Sequence, residues 1–269
     1  MSLAPFDQKH AKSFNESRRK FLDEFLPSLR ERCDLKTALD VGCGFGFFSS
    51  YLRRAGFQVS AFDGREENAL EARKRDPEVN FETHDVEDPA LPAQLGSHDL
   101  VLCFGLLYHL ENPFRALRNL AALAEKVLVV ETRVAPFRSN LALLYEENYA
   151  VDQALGYMAM VPSTNCLVKM MYIAGFPFVY GVNVLPDHEQ FRGSPIRKPM
   201  RKMFVAARCA LQVPNLRAIR EPLETNRYRW HRFGIGNALE RLVPLFRPYG
   251  KTWGLPRFLQ GAGEDFNKR

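Results

Sequence analysis

Short apolar runs alternate with longer stretches of helical periodicity over most of this chain. "TALDV" (37–41), "FQVSAFD" (57–63), "VNFETHD" (79–85), the first part of "HDLVLCFGLLYHL" (98–110) and "KVLVVET" (126–132) read as buried strands. Between them "FFSSYLRRAG" (47–56, closed by Gly56), "REENALEARKRD" (65–76) and "NPFRALRNLAALA" (112–124) read as helices. Ahead of the first strand, "ESRRKFLDEFLPSLRER" (16–32) spaces Phe21, Leu22, Phe25, Leu26 and Leu29 on one helical face, with Pro27 as a kink or boundary. Strands without a polar alternation are covered on both faces, so the alternation predicts a doubly wound α/β fold with a Rossmann-like, mostly parallel sheet.

The rhythm breaks after Thr132. Residues 133–162 carry no strong strand pattern and read as an inserted loop and helix segment, a lid over the mouth of the sheet. "STNCLVKMMYIAGF" (163–176) resumes as a helix, "FVYGVNVL" (178–185) as a sixth strand and "RKMFVAARCA" (201–210) as a seventh. No crossover helix joins the last two, so they pair as an antiparallel C-terminal hairpin. The expected division is a helical lead-in over 1–35, an α/β domain over 36–210 with its lid at about 133–162, and a basic extension over 211–269.

Composition adds limits to this picture. With 269 residues, 46% of them hydrophobic, the chain is long enough for one large core. No apolar stretch reaches the roughly 18 residues a membrane-spanning helix needs, and "MSLAPFDQKHAKSF" lacks the apolar centre of a secretory signal, so a cytoplasmic protein is expected. Five scattered cysteines with no C-x-x-C pair read as reduced thiols, and no metal is expected. Charge is uneven: residues 181–269 hold 17 Lys and Arg against 7 Asp and Glu, whereas residues 1–180 hold 20 against 24. The dispersed arginines of the basic third form either a solvated surface or a face for phosphates, an anionic glycan or a membrane surface.

The candidate chemistry centres on "ALDVGCGFGFFSSYL" (38–52), where a glycine-rich turn joins the first strand to the first helix of the alternation. In open α/β sheets ligands lie beyond the carboxyl ends of the strands, and Gly42, Gly44 and Gly46 would let one lie against bare backbone. The turn lacks the G-K-[ST] ending of an NTPase loop and meets the dinucleotide fingerprint except at Ser49. Asp63, ending the second strand, can accept hydrogen bonds from both hydroxyls of a ribose, or serve as the acid at a helix start. Asp85, ending the third, can accept from an adenine amine while the Val86 N–H donates to the ring, or cap its own loop. Asp40 beside the glycines suits a cationic ammonium and repels a pyrophosphate.

"LDVGCGFG", Asp63, "HDV" at 84–86, "HDLVLCFGLLYHLENPFRAL" and "KVLVVET" together resemble the class I S-adenosylmethionine-dependent methyltransferases, over roughly residues 35–210. A shorter set, "FGLLYHLENP", "VLVVETRV" and "VPSTNCLVKMMYIAGF", is similar to the branch containing the tRNA wobble-uridine carboxymethyltransferases, whose donor is carboxy-S-adenosylmethionine. The resemblance implies S-adenosylmethionine as cofactor. It implies Gly42, Gly44 and Gly46 along the donor's amino-acid tail, Asp40 near its ammonium, Asp63 on the ribose, Asp85 and Val86 on the adenine, and Phe104 near the sulfonium. Phe45 packs over the donor or fills the turn.

Methyl transfer mainly requires alignment of donor and acceptor. His109, with Tyr108 beside it in "YHLENP", is the candidate base for a hydroxyl or amine acceptor; the alternative is an imidazole that packs or caps without titrating. Glu131 and Thr132 line the acceptor side or are structural. "NRYRWHRFG" (226–234) interleaves basic and aromatic residues, as stacking platforms for single-stranded RNA do and as lids docking by aromatic anchors also do. A methyltransferase acting on a small metabolite or a glycan is the expected function. A tRNA-modifying enzyme using the basic extension, a nicotinamide-dependent oxidoreductase and a non-catalytic donor-binding protein are the alternatives.

Overall fold

The computed structural model describes residues 4–137, 139–147, 152–156, 158–192 and 201–222. The lead-in helix is longer than its apolar spacing predicts: α1 spans Lys9–Cys33 and buries Phe14, Phe21, Leu22, Phe25, Leu26 and Leu29. It runs through Pro27. An internal proline costs a helix about 3 kcal/mol; the apolar face buried on both sides of it outweighs that loss. A three-residue 3-10 turn, Pro5–Asp7, precedes α1.

From there the predicted alternation is realised as β1 (Thr37–Val41), α2 (Phe47–Arg54), β2 (Gln58–Asp63), α3 (Glu66–Arg75), β3 (Asn80–Thr83), a short α4 (Leu91–Leu95), β4 (His98–Phe104), α5 (Pro113–Leu123) and β5 (Ala124–Arg133). α5 starts on Asn112, whose side chain accepts from the Arg115 N–H, with Pro113 in the first helical position. β4 is buried along its whole length, as expected for a central strand covered on both faces. α6 (Thr164–Ile173) is capped by Ser163, and β8 (Phe178–Val182) and β9 (Arg201–Ala207) follow it.

The main sheet has the order β10-β8-β9-β5-β4-β1-β2-β3, in which β10 (Leu216–Ala218) is an added edge strand. This makes eight strands where the sequence suggests about seven, because Leu211 and Val213 remain in the core and Leu216 pairs with Val182. β3, β2, β1, β4 and β5 are parallel; β9 pairs antiparallel with β8, as the missing crossover predicts, and also with β5. One apolar layer packs α1 and α2 against one face of the sheet, and a second packs α5 and α6 against the other.

The insertion differs from expectation. Residues 133–162 hold an antiparallel ribbon, β6 (Ala142–Glu146) with β7 (Met158–Pro162), paired Ala142 to Pro162 and Glu146 to Met158. A two-stranded ribbon with Leu144 61% exposed lacks the continuous apolar run by which a buried strand announces itself. The basic aromatic segment 226–234 lies outside the described residues.

Candidate functional site

The strand order reverses between β1 and β4, where a chain leaving one strand goes to one side and a chain leaving the other goes to the opposite side. That is where an open α/β sheet leaves a crevice. A cavity of about 290 Å³ opens there, lined by residues from the ends of β1, β2, β3 and β4, from the start of α1 and from the 152–155 segment.

Its acidic end is built by β2 and β3. The Asp63 carboxylate accepts from the Gly44 N–H at 2.9 Å on one oxygen, and from the Arg65 N–H and Asn68 Nδ2, both at 3.0 Å, on the other. Three of its roughly four acceptor positions are thus filled internally. Asp63 therefore ties the glycine turn to the start of α3 and keeps about one position for a ligand. Asp85 lines the same end and accepts from the Glu87 N–H at 2.8 Å. Val86 is buried beside it, its carbonyl accepting from Asn119.

The glycine turn is less directly exposed to the cavity than its sequence suggests. Gly42 lines it at φ +69°, and a Cβ there would approach Leu106 to 3.0 Å. Gly44 faces the Phe6 ring instead, and Gly46 backs onto Phe81. Phe45 does not line the cavity: it meets Phe6 edge-on at 4.8 Å under the Arg75 guanidinium. Asp40 also lies behind the turn, 2% exposed, accepting from the Ser49 hydroxyl at 2.6 Å. Burial, only partly offset by Ser49, pushes its carboxyl up to about 6. Asp40, Gly44 and Gly46 shape the crevice from behind and do not line it.

The opposite end is basic and aromatic. Phe104 lines it, packed edge-on against Phe48 at 5.1 Å. The 3-10 turn Leu107–His109 sets Tyr108 and His109 into the wall. Nδ1 of His109 lies 2.6 Å from Glu147, which also accepts from the Tyr145 hydroxyl and the Ala154 N–H, both at 2.9 Å. Burial alone would lower the imidazole's pKa, but the Tyr108 oxygen and the Glu147 carboxylate outweigh it and hold it above its ordinary value. Tyr108 moves the other way. Burial would raise the phenol, yet Arg201, His109 and Arg133 bring it down to about 8.

Behind this wall Glu131, fully buried, accepts from Arg18 on one oxygen and Arg201 on the other, each at 2.9 Å. Arg201 also donates to the Tyr108 oxygen at 2.7 Å. Burial would raise the Glu131 carboxyl, but the two guanidiniums keep it ionised and below its ordinary range. Glu131 is thus the counter-ion of two cavity arginines, and neither it nor Thr132 lines the cavity. Nothing in the sequence marks Arg18, Arg133, Arg201 or Glu147 as members of a site. They come from four distant segments, and only the fold brings them together.

A family model described as a methyltransferase domain matches residues 14–168. A ubiquinone biosynthesis O-methyltransferase of Xanthomonas oryzae pv. oryzae (strain PXO99A) is 39% identical over 98 residues, which is 34% of this chain and 41% of that protein. The enzyme of the same name from Bordetella avium (strain 197N) is 33% identical over 124 residues, 45% of this chain and 48% of that one. The matches thus span less than half the length of these curated relatives. The fold is that of the N-terminal domain of EvdMO1, solved with SAH bound (TM-score 0.56, 21% identity, 74% of this chain and 84% of that one). It is also that of magnesium protoporphyrin IX methyltransferase from Synechocystis PCC 6803, solved with bound SAM (TM-score 0.51, 20% identity, 78% and 86%). With more than half of its length matched by that family model and its crevice at the β1–β4 reversal, the chain belongs to the methyltransferase-domain family.

Proposed function

We propose that this chain is an S-adenosylmethionine-dependent methyltransferase that methylates an oxygen or nitrogen nucleophile of a small molecule. The observation that carries the reading is the polarity of the cavity: the carboxylates of Asp63 and Asp85 with Gly42 at one end, a histidine–carboxylate pair at the other. The residues fit the donor. Gly42 leaves backbone open where a side chain would meet Leu106, Asp63 and Asp85 offer acceptors to ribose and adenine, and Phe104 offers an aromatic face to a sulfonium. The names of the relatives and the ligands in the structures of shared fold support the same donor and a small-molecule acceptor.

When bound, S-adenosylmethionine supplies a methyl group already activated by a sulfonium, so that transfer breaks the carbon–sulfur bond and leaves a neutral thioether. The protein aligns the acceptor and removes its proton. Nδ1–H of His109 donates to Glu147, which leaves Nε2 as the acceptor atom of the neutral ring. A hydroxyl held at that nitrogen would lose its proton to it. Tyr145 and the Ala154 N–H fix Glu147, and Glu147 fixes the ring.

Calorimetric titration with S-adenosylhomocysteine tests the donor assignment. Asp63→Ala should weaken binding by about 1.5–3 kcal/mol, the loss of a hydrogen bond to a charged acceptor. Unchanged affinity removes Asp63 from the donor site.

A further inference from the structure

Among the described residues, the basic end of the cavity holds more positive charge than its own carboxylates balance. Arg18, Arg133 and Arg201 converge on the Tyr108 ring and the Phe14 ring: Arg133 and Arg201 each lie 4.8 Å from the Tyr108 centroid, and Arg18 lies 4.0 Å from that of Phe14. The first and last share one carboxylate, Glu131, and their remaining hydrogen bonds go to oxygens of Asn15, Gln190 and Tyr108. Glu147 is engaged by His109, Tyr145 and Ala154. Nε of Arg18, a side chain 9% exposed, and Nε of Arg133 are buried donors without a hydrogen-bond partner among the described residues. Buried donors in a native fold are ordinarily satisfied, and two unsatisfied guanidinium nitrogens on residues lining one cavity mark a place for an acceptor that arrives with the ligand.

Resting on the methyltransferase reading, we propose that this end is a carboxylate subsite, and that the acceptor is a small acid whose carboxylate sits against Arg133 and Arg18 beside Tyr108. Guanidinium forks match a carboxylate in shape as well as charge, and the rings of Tyr108 and Phe14, each stacked with guanidiniums, hold those forks in place. With its acid group anchored there, the acceptor's nucleophilic atom is presented toward His109, which follows Tyr108 directly in the wall.

Full-length protein saturated with S-adenosylhomocysteine and titrated with benzoate, benzamide and inorganic phosphate provides the test, read by calorimetry. Benzoate should bind at least tenfold tighter than its neutral isostere benzamide. Arg133→Gln should weaken benzoate about tenfold or more, the loss of a charge-assisted hydrogen bond, and Arg133→Lys should restore part of it. Equal binding of benzoate and benzamide overturns the subsite, and preference for phosphate overturns the carboxylate assignment. The donor's own tail also carries a carboxylate, so each variant is titrated with S-adenosylhomocysteine and with 5′-methylthioadenosine, which lacks that tail. If Arg133→Gln weakens only the former, the anion belongs to the donor and the acceptor assignment falls. If the wild-type protein binds neither nucleoside, the donor reading falls by itself, and the benzoate–benzamide comparison on unliganded protein still decides the subsite.

Discussion

A histidine bonded through Nδ1 to a buried carboxylate has its tautomer chosen for it, and His109 owes that to Glu147. Glu147→Gln should lower the plateau rate by about 10²–10⁴, because an amide can hold the ring in the wrong tautomer. The same change should move the acid limb of the rate profile to lower pH. Glu147 helps hold the imidazole's pKa above its ordinary value, so without it the neutral, proton-accepting ring persists further into acid. Initial rates across pH 5–9, with donor affinity measured in parallel, separate the two effects; an unmoved acid limb means that His109 is not the titrating base. His109 stood out in the sequence because it lies in the turn after the end of a buried strand, and Asp63 and Asp85 because they lie at or just past strand ends. Glu147 did not. It lies 38 residues away in an insertion with no strong pattern, and a lone glutamate there has nothing in sequence to mark its partner.

At the level of elements, the strands and helices of the α/β layer could be read because each carries its periodicity within a few residues and is buried on a predictable face. The β6–β7 ribbon could not, since its strands are partly exposed and the residues between them are not apolar enough to bound it. The glycine turn falls between these cases. Its backbone demand is visible in the sequence, but what each glycine faces depends on packing from elsewhere. Gly46 shows this: at φ +80° it starts α2, and a Cβ there would lie 2.8 Å from Cζ of Phe81, a buried residue of β3. Gly46→Ala should therefore destabilise the fold by about 1–3 kcal/mol through backbone strain and displacement of that ring. Denaturant titration measures it, and an unchanged midpoint would mean that the turn adopts another conformation. Since Gly44, two residues earlier in the turn, donates to Asp63, donor affinity should fall in the same variant.

Across the whole molecule, one ion cluster joins parts that the sequence separates widely. Arg18 on α1 stands 113 residues from Glu131 on β5, and Arg201 on β9 stands 70 residues beyond it. No local pattern encodes such a cluster, and the antiparallel pairing of Glu131 with Met203, two residues from Arg201, is what makes half of it. The arrangement links the lead-in helix, the central sheet and the C-terminal hairpin, and it sets the charge of the basic wall of the cavity. Removing its single anion leaves two buried guanidiniums facing each other, and breaking a buried pair from one side costs about 3–5 kcal/mol. Glu131→Gln, which keeps the shape, should show a loss of that order at neutral pH. The sign of the pH dependence follows from the direction of the shift. The folded pKa is depressed, so Glu131 contributes stability above its unfolded value near 4.5, and that stability is lost as pH falls through the lower folded value. The difference in unfolding free energy between wild type and Glu131→Gln should therefore be large at pH 7 and shrink progressively on acidification below about pH 4.5. A gap that stays constant from pH 7 down to acid unfolding would show that the charge of Glu131 is not what holds the three segments together.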